Sequence, residues 1–485
     1  MSRWGTAVWG TDRWDALTVD QLLQQPPATD RGALIGLGDW RLVVEALLPA
    51  DGPSIWGVGV WGTAQWNVLA WQDITPWVRG LDWTRGGDSP YERPRVGELT
   101  ITLDSAGDRW SPWNMTPPVG SPAYFAPGTI VRVGARSATD TRANGWLPQI
   151  TCIVDTWSPE YVGLRADRYI DVTAVETLRD LATIDSNALP GVVGGGEDPV
   201  TRIQRLLDAA GWKYGLRLEA QHLIFSPGSY PLQSTDMANN RLAECYLTGD
   251  SCDAQFRTDR TGAALLTNIE YIGTVGPADV NMLPLAAFSK AGTYPFIGFD
   301  WYGHTETVST IVREYVPYDN ESFKSLNSDD AVINDARFAR VGGTQQTFEQ
   351  LASISRYSRR TLTRNDLLVT SDAVAKQIAQ YTTIRRALNT LRVSNVDISV
   401  TDRGTTAGLV ALAADAQSYC SVFPPDKLPW APSPDPTRVS ITGFVASVRH
   451  KVTPRNRGAL SWTASFGIDT RTVNNLPAAQ LPPTP

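Results

Sequence analysis

The chain is poor in the residues that most often carry chemistry. Among 485 residues there are three histidines (His222, His304, His450) and four cysteines (Cys152, Cys245, Cys252, Cys420), with no Cys-x-x-Cys pair. The ligand spacing of a zinc site is missing. Isolated buried thiols are expected instead, as in a reducing compartment. Lysine is nearly absent (Lys213, Lys290, Lys324, Lys376, Lys427, Lys451), and the net charge is -7. Gripping a phosphate backbone needs clustered cations, so a nucleic-acid-binding role is disfavoured, whereas letting DNA slide through a pore is not. No apolar run reaches roughly 18 residues, so no membrane-spanning helix is expected. The opening MSRWGTAVWG lacks the charged-then-apolar pattern of a signal peptide. GxSxG, HExxH and GxxxxGK[ST] do not occur. Gly57-Val58-Gly59-Val60-Trp61-Gly62 fits GxGxxG, but no strand precedes it and no helix follows it. Asp104 and Asp108 flank a turn that could touch Ca²⁺, although a turn satisfied by its own hydrogen bonds is the simpler reading. No catalytic residue, cofactor or metal is assigned, and the chain is expected not to be an enzyme.

What the sequence does have is tryptophan in a regular pattern. Trp4-Gly5, Trp9-Gly10-Thr11 and Trp14 stand five residues apart, and the pattern returns as Trp56-Gly57, Trp61-Gly62-Thr63 and Trp66. Five matches neither the helical period of 3.6 nor the strand period of 2. Glycine after the first two Trp of each repeat permits positive φ, so each such unit could be a tight turn displaying one ring. Such an arm could fold onto its own domain, bind glycans, or bury its indoles in a neighbouring subunit, where Trp is enriched at energetic hot spots. The last reading makes Trp4, Trp9, Trp14, Trp56, Trp61 and Trp66 the candidate subunit interface.

Beyond Trp40 the pattern is mainly that of strands: WRLVVEALL, Glu98–Leu103 and Thr129–Val133, the latter two partly alternating, separated by turn-forming clusters such as Ala126-Pro127-Gly128. Tyr169–Ala174 reads as a strand leading into a short helix at VETLRDLA. Asp198 as N-cap, Pro199 at the first helical position, an apolar face of Val200, Ile203, Leu206, Leu207 and Ala210, and a stop at Gly211 define a second helix. Residues 241–345 read as β, with a hairpin at Asp259-Arg260-Thr261-Gly262. A third helix starts at Ser371 or Asp372, with Arg385 interrupting its apolar stripe. Strands follow at 393–400. Residues 421–438 hold six prolines in a semi-rigid loop, and two closing strands, Val439–His450 and Gly458–Ile468, flank Thr453-Pro454-Arg455-Asn456.

Three ordered blocks resemble the tail-tip and baseplate-hub proteins, often called minor tail proteins, of long-tailed (siphovirus-type) actinobacterial phages. The first runs from Trp71-Gln72-Asp73-Ile74-Thr75-Pro76 through Leu99–Asp104, Gly107-Asp108-Arg109-Trp110 and Pro112-Trp113-Asn114 to Pro127–Val133. The second is Asp171–Ala174 with Arg202-Ile203 and Leu206–Trp212. The third is Ser355–Arg360, the helix after Ser371, and Val448–Pro454. The sequence departs from the family at Ser358, where glycine is common after Tyr357. It also ends soon after the last hub-like strand, where relatives often continue into a cell-wall-cutting or receptor-binding domain, so neither activity is expected.

The resemblance implies a mainly β (α+β) multidomain chain of β-barrel, tube-like domains with smaller helix-bearing insertions. The expected layout is a Trp-Gly arm at 1–36, a first β-barrel-like domain at 37–168, an α+β insertion at 169–240 and a second β domain at 241–349. An α+β domain at 350–420, a Pro-rich loop with a closing hairpin at 421–470 and an extended tail at 471–485 complete it. It further implies a structural protein of the virion tail tip, assembled in the host cytoplasm: a hub ring, usually a homotrimer, that closes the tail tube and forms the conduit for DNA ejection. Partners would be the distal tail protein, the tape measure and tail fibres or further minor tail proteins, with DNA only as passing cargo. A distal tail protein ring and a carbohydrate-binding adhesin are the alternatives.

Overall fold

The computed structural model describes residues 19–27, 32–35, 37–49, 69–87, 93–105, 110, 127–139, 145–162, 167–183, 192–218, 231–236, 240–268, 296–305, 308–327, 332–387, 391–402, 405–416, 418–423, 441–454 and 460–469. The fold is mainly β, built on a curled antiparallel half-barrel sheet.

Helix α1 (Val19–Gln24) precedes strands β1 (Ala33–Leu34), β2 (Arg41–Pro49), β3 (Leu69–Asp73), β4 (Val78–Gly86), β5 (Arg95–Asp104), β6 (Ile130–Arg136), β7 (Trp146–Val162) and β8 (Asp167–Glu176). The first satellite module follows: α2 (Leu178–Thr183), β9 (Val192–Val193), α3 (Pro199–Ala209), β10 (Leu216–Leu218), β11 (Thr235–Asp236), α4 (Arg241–Asp250), β12 (Ala254–Thr258) and β13 (Ala264–Asn268). The chain returns to the sheet in β14 (Phe296–Thr305), β15 (Val308–Pro317) and β16 (Lys324–Asn327). It leaves again for a second module of β17 (Asp335–Arg340), β18 (Gln346–Glu349), α5 (Leu351–Tyr357), β19 (Thr361–Leu367) and α6 (Asp372–Arg386). Strand β20 (Leu391–Ser399), α7 (Thr405–Ala413), β21 (Tyr419–Phe423), β22 (Ile441–Pro454) and β23 (Leu460–Asp469) close the chain.

The large sheet runs β1-β2-β6-β7-β8-β5-β4-β22-β21-β14-β15, with β3 also on β2 and with β23, β20 and β16 branching from β22. Its inward faces form one continuous core. Leu42, Val44, Ala46 and Leu48 of β2, Leu99, Ile101 and Leu103 of β5 and Val131, Val133 and Ala135 of β6 join Val448, Val452, Trp462 and Phe466 of the closing strands. Helix α7 packs into the same core through Leu409–Ala414. Its residues TTAGLVALA have no polar face, as expected of a helix covered all round.

Strand β22 joins the two halves. One of its edges pairs with β23. The other pairs with β21 over Ile441–Phe444 and with β4 over Ser447–Val452. The ladder breaks at Ala446, whose carbonyl accepts from the N–H of Gly87 at 2.9 Å. Gly86 sits there at φ +91, and a Cβ on it would lie 2.2 Å from that carbonyl, so only glycine fits.

Each satellite has its own core. The first gathers Leu181, Ile203, Leu206, Leu207, Cys245 and Phe256, the second Phe338, Leu367, Val369, Ala375 and Ile378. Asp198 caps α3 as expected, accepting from Val200 and Thr201 N–H, and Gly211 follows at φ +64. Ser371 caps α6. The reading of 241–345 as β is corrected at its start. Asn240 accepts from the N–H of Ala243 and opens helix α4, which buries Leu242, Cys245 and Thr248. None of the four cysteines forms a disulfide, and all four are buried.

Ser358, where the resemblance would favour glycine, adopts φ 62 and ψ 170 at the end of α5. That region is essentially reserved for glycine and costs a side chain about 1–3 kcal/mol. Fully buried Asn334 holds the strained turn, donating from Nδ2 to Ser358 O at 2.7 Å and accepting from Arg360 N–H at 2.7 Å. Ser358→Gly is therefore expected to stabilise the second module by about 1 kcal/mol, seen as a higher urea midpoint of tryptic cleavage at Arg359 or Arg360. An unchanged or lower midpoint would refute the strain.

Candidate functional site

The six tryptophans of the candidate interface, Trp4, Trp9, Trp14, Trp56, Trp61 and Trp66, lie outside the described residues, as does the Gly57–Gly62 motif. The elements that flank them in the chain are described. The first repeat precedes α1. The second connects β2 to β3, whose last rung pairs Pro49 with Leu69.

Helix α1 lies on the outer face of the sheet, where Leu22 and Leu23 pack with Leu47, Ile130, Ile153 and Tyr214. Two side chains of the sheet hold it by its backbone carbonyls. Trp71 Nε1 donates to Leu22 O at 2.7 Å. Arg132 donates from Nη1 to Gln25 O at 2.5 Å and from Nε and Nη2 to Glu45 Oε2 at 2.9 and 2.6 Å. The guanidinium lies 4.0 Å from the Trp71 ring centroid and 5.3 Å from that of Trp146, a paired cation between aromatic faces. Trp71 and Glu45 are diagonal neighbours on paired strands, Glu45 pairing with Asp73 and Leu47 with Trp71. One patch of sheet thus anchors the segments that follow both Trp-Gly repeats.

A second polar cluster fastens the first satellite to the sheet. Arg85, the residue before Gly86, donates from Nε to Glu176 Oε1 at 2.7 Å, from Nη1 to Asp415 Oδ2 at 2.5 Å and from Nη2 to Thr258 O at 2.9 Å. Glu176 accepts in turn from the Gly97 N–H at 2.8 Å. The expected hairpin at Asp259–Gly262 projects Arg260 into the cluster, where its Nε lies 3.1 Å from Asp415 Oδ2. The same guanidinium donates to Leu412 O at 2.7 Å, to Ala413 O at 2.9 Å and to Ala414 O. A cation thereby caps the carbonyl end of α7, where the helix dipole favours it. The hairpin is also held by Thr151 Oγ1 donating to Arg260 O and Thr177 Oγ1 donating to Gly262 O. Burial pushes the Asp415 carboxyl up, but the Arg85 and Arg260 guanidiniums prevail and hold it well below the ordinary carboxylate range.

His450 sits in the core seam beside this cluster. It stacks on Trp83 with centroids 4.8 Å apart, and Trp462 Nε1 donates to its Nδ1 at 3.1 Å. A nitrogen that accepts cannot also carry a proton, so the ring is neutral. Burial, together with the nearby Arg260 and Arg85 charges and against Asp415, lowers its pKa to about 3. Asp104 accepts from Arg79 Nε at 3.1 Å, and Trp110 Nε1 donates to its backbone carbonyl at 2.9 Å; Asp108 lies outside the described residues. Among the described residues no group of three or more His, Cys, Asp or Glu side chains could hold a metal ion, and no helix is long and apolar enough to cross a membrane. In this part of the structure the charges of the Arg85 cluster are paired, the four thiols are buried and His450 is sealed in the core.

The fold places the chain among β-rich proteins already solved. No family model and no curated protein matches it in sequence. Its fold is similar to that of a tail protein from Neisseria meningitidis MC58, at a TM-score of 0.50 and 10% identity over 90% of this chain and 98% of that one. A 43 kDa tail protein of prophage MuSo2 from Shewanella oneidensis scores 0.49 at 11% identity, over 89% and 98% of the two chains. An E. coli type VI secretion component, described as similar to T4 bacteriophage tail proteins, scores 0.35 at 9% identity, over 80% and 72%.

Two outcomes test the site. Arg85→Met leaves Glu176 and Asp415 short of their buried partner and is expected to destabilise the sheet-to-satellite junction by about 3–5 kcal/mol. Hydrogen exchange in β4, β8 and the 259–262 hairpin would report it, and unchanged protection there would contradict the assignment. The second outcome concerns pH. The folded pKa of His450 is depressed, so its contribution is complete above the unfolded value of about 6.5 and is lost as pH falls toward about 3. Across that window stability falls by about 1.4 kcal/mol per pH unit. His450→Gln should flatten the slope between pH 6 and pH 4; an unaltered slope would exclude His450 as its source.

Proposed function

We propose that this chain is a structural component of a phage tail. The observation that carries the reading is the fold shared with the Neisseria tail protein over nearly the full length of both chains. Charges that are paired within a buried frame are consistent with a role of position rather than catalysis, so we read the protein as not an enzyme.

Within the tail, we place it at the tip as the hub ring, on the order of the hub-like blocks from Trp71 to Asp469. In this reading the half-barrel sheet faces a conduit for DNA ejection and the satellite modules lie outside it. Closure requires heterologous contacts that return on themselves, as in a homotrimer. The tape measure, the distal tail protein and fibre or other minor tail proteins would be its neighbours. The Trp-Gly repeats would supply inter-subunit contacts, with Trp4, Trp9, Trp14, Trp56, Trp61 and Trp66 buried against another copy or against each other. Residues 1–36 would be an arm and 471–485 an extended tail available to a second chain.

Electron microscopy of the isolated assembly tests this reading. A threefold ring at the end of the tail tube is the expected result. A sixfold ring would transfer the chain to the distal tail position. Glycan-array binding that disappears in Trp9→Ala and Trp61→Ala, with assembly intact, would make it an adhesin instead.

A further inference from the structure

We propose that the cleft between helix α4 and the second satellite module is a binding site for a carboxylate-bearing segment of another polypeptide. The first observation is charge. The chain as a whole carries -7, yet residues 332–387 hold nine Arg and Lys against four Asp and Glu, a local excess of five positive charges. Eight of the nine are arginine, the cation whose planar fork matches a carboxylate in two-point contact.

The second observation is a cavity of about 540 Å³ at the border of this module. Arg93, Arg364, Arg385 and Arg386 line it together with Asp250 and Asp253, so its wall carries two more positive than negative charges. The two internal acids show the kind of group to which these guanidiniums donate. Asp250 Oδ2 receives Arg93 at 2.5 Å and Arg364 at 2.6 Å, and Asp253 Oδ2 receives Arg385 at 2.6 Å. Arg385 is the residue that interrupts the apolar stripe of α6; its place on the cavity wall explains the interruption.

The third observation is the apolar part of the wall, formed by Phe338, Leu362 and Ile378. This selects among anions. The volume admits a few side chains but not a nucleic-acid duplex, and two fixed carboxylates oppose a closely spaced polyphosphate. A segment presenting an acid beside an aliphatic side chain satisfies both the charge and the apolar surface. Arg93 stands at the rim with its side chain about half exposed, where an incoming acid would meet it first.

The test uses the full chain and three fluorescein-labelled probes: a short peptide of alternating Glu and Leu, its Gln-for-Glu counterpart and a single-stranded oligonucleotide. The Glu peptide is expected to bind about tenfold more tightly than the Gln peptide, the equivalent of one charge-assisted pair. Arg93→Gln and Arg386→Gln should each weaken it about tenfold, while Lys376→Gln, the same charge change on the exposed side of α6, should leave it unchanged. Thr363→Glu places a carboxylate in the cavity wall on an exposed strand position and should abolish binding without unfolding the module, as checked by circular dichroism. Equal binding of the Glu and Gln peptides, equal effects of Arg93→Gln and Lys376→Gln, or tighter binding of the oligonucleotide would each overturn the proposal.

Discussion

Strand β22 must satisfy two neighbours along a single edge, and most of the architecture follows from how it does so. Its first residues pair with β21 and its later ones with β4, with the break at Ala446. The break is tolerated because Gly86 can take positive φ against the Ala446 carbonyl. Arg85 stands one residue earlier, so the same splice aims its guanidinium at Glu176, Asp415 and the Thr258 carbonyl. Buried ion pairs recover their desolvation cost only when geometry is held closely. Here the sheet holds Arg85 and Glu176, α7 leads to Asp415, and the hairpin supplies Arg260. The polar cluster and the splice therefore depend on each other.

Much of the element pattern was legible in the residues. Helices α3 and α6 announced themselves by a capping side chain and apolar spacing, and the strand at Glu98–Leu103 by alternation, because one face of each meets the core and the other does not. Alternation is missing from β2 and only partial in β6, since both faces are covered: the inner by the core and the outer by α1 and the Arg132–Glu45 pair. Helix α7 was missed because a helix buried all round has no stripe to read. Helix α4 was missed although Asn240 marks its start, because the hairpin after it coloured the whole stretch as β.

The polar clusters were not legible at all. Arg85 and Asp415 are 330 residues apart and Arg132 and Glu45 are 87 apart. No local pattern joins such residues; only the order of strands in the sheet does. Ser358 lies between these cases. The departure from glycine was visible in the sequence, but its meaning as a positive-φ position needed the backbone.

The attachment of α1 has a bearing on how such a chain can change over generations. Two of its polar contacts run from Trp71 and Arg132 to the carbonyls of Leu22 and Gln25, atoms that every amino acid possesses. Substitutions along the helix leave those acceptors in place so long as the apolar side persists, whereas a one-residue deletion would move every carbonyl out of reach. Mutational drift in this segment should thus conserve length more strictly than identity. Two chains could then share this layout with little resemblance between their letters.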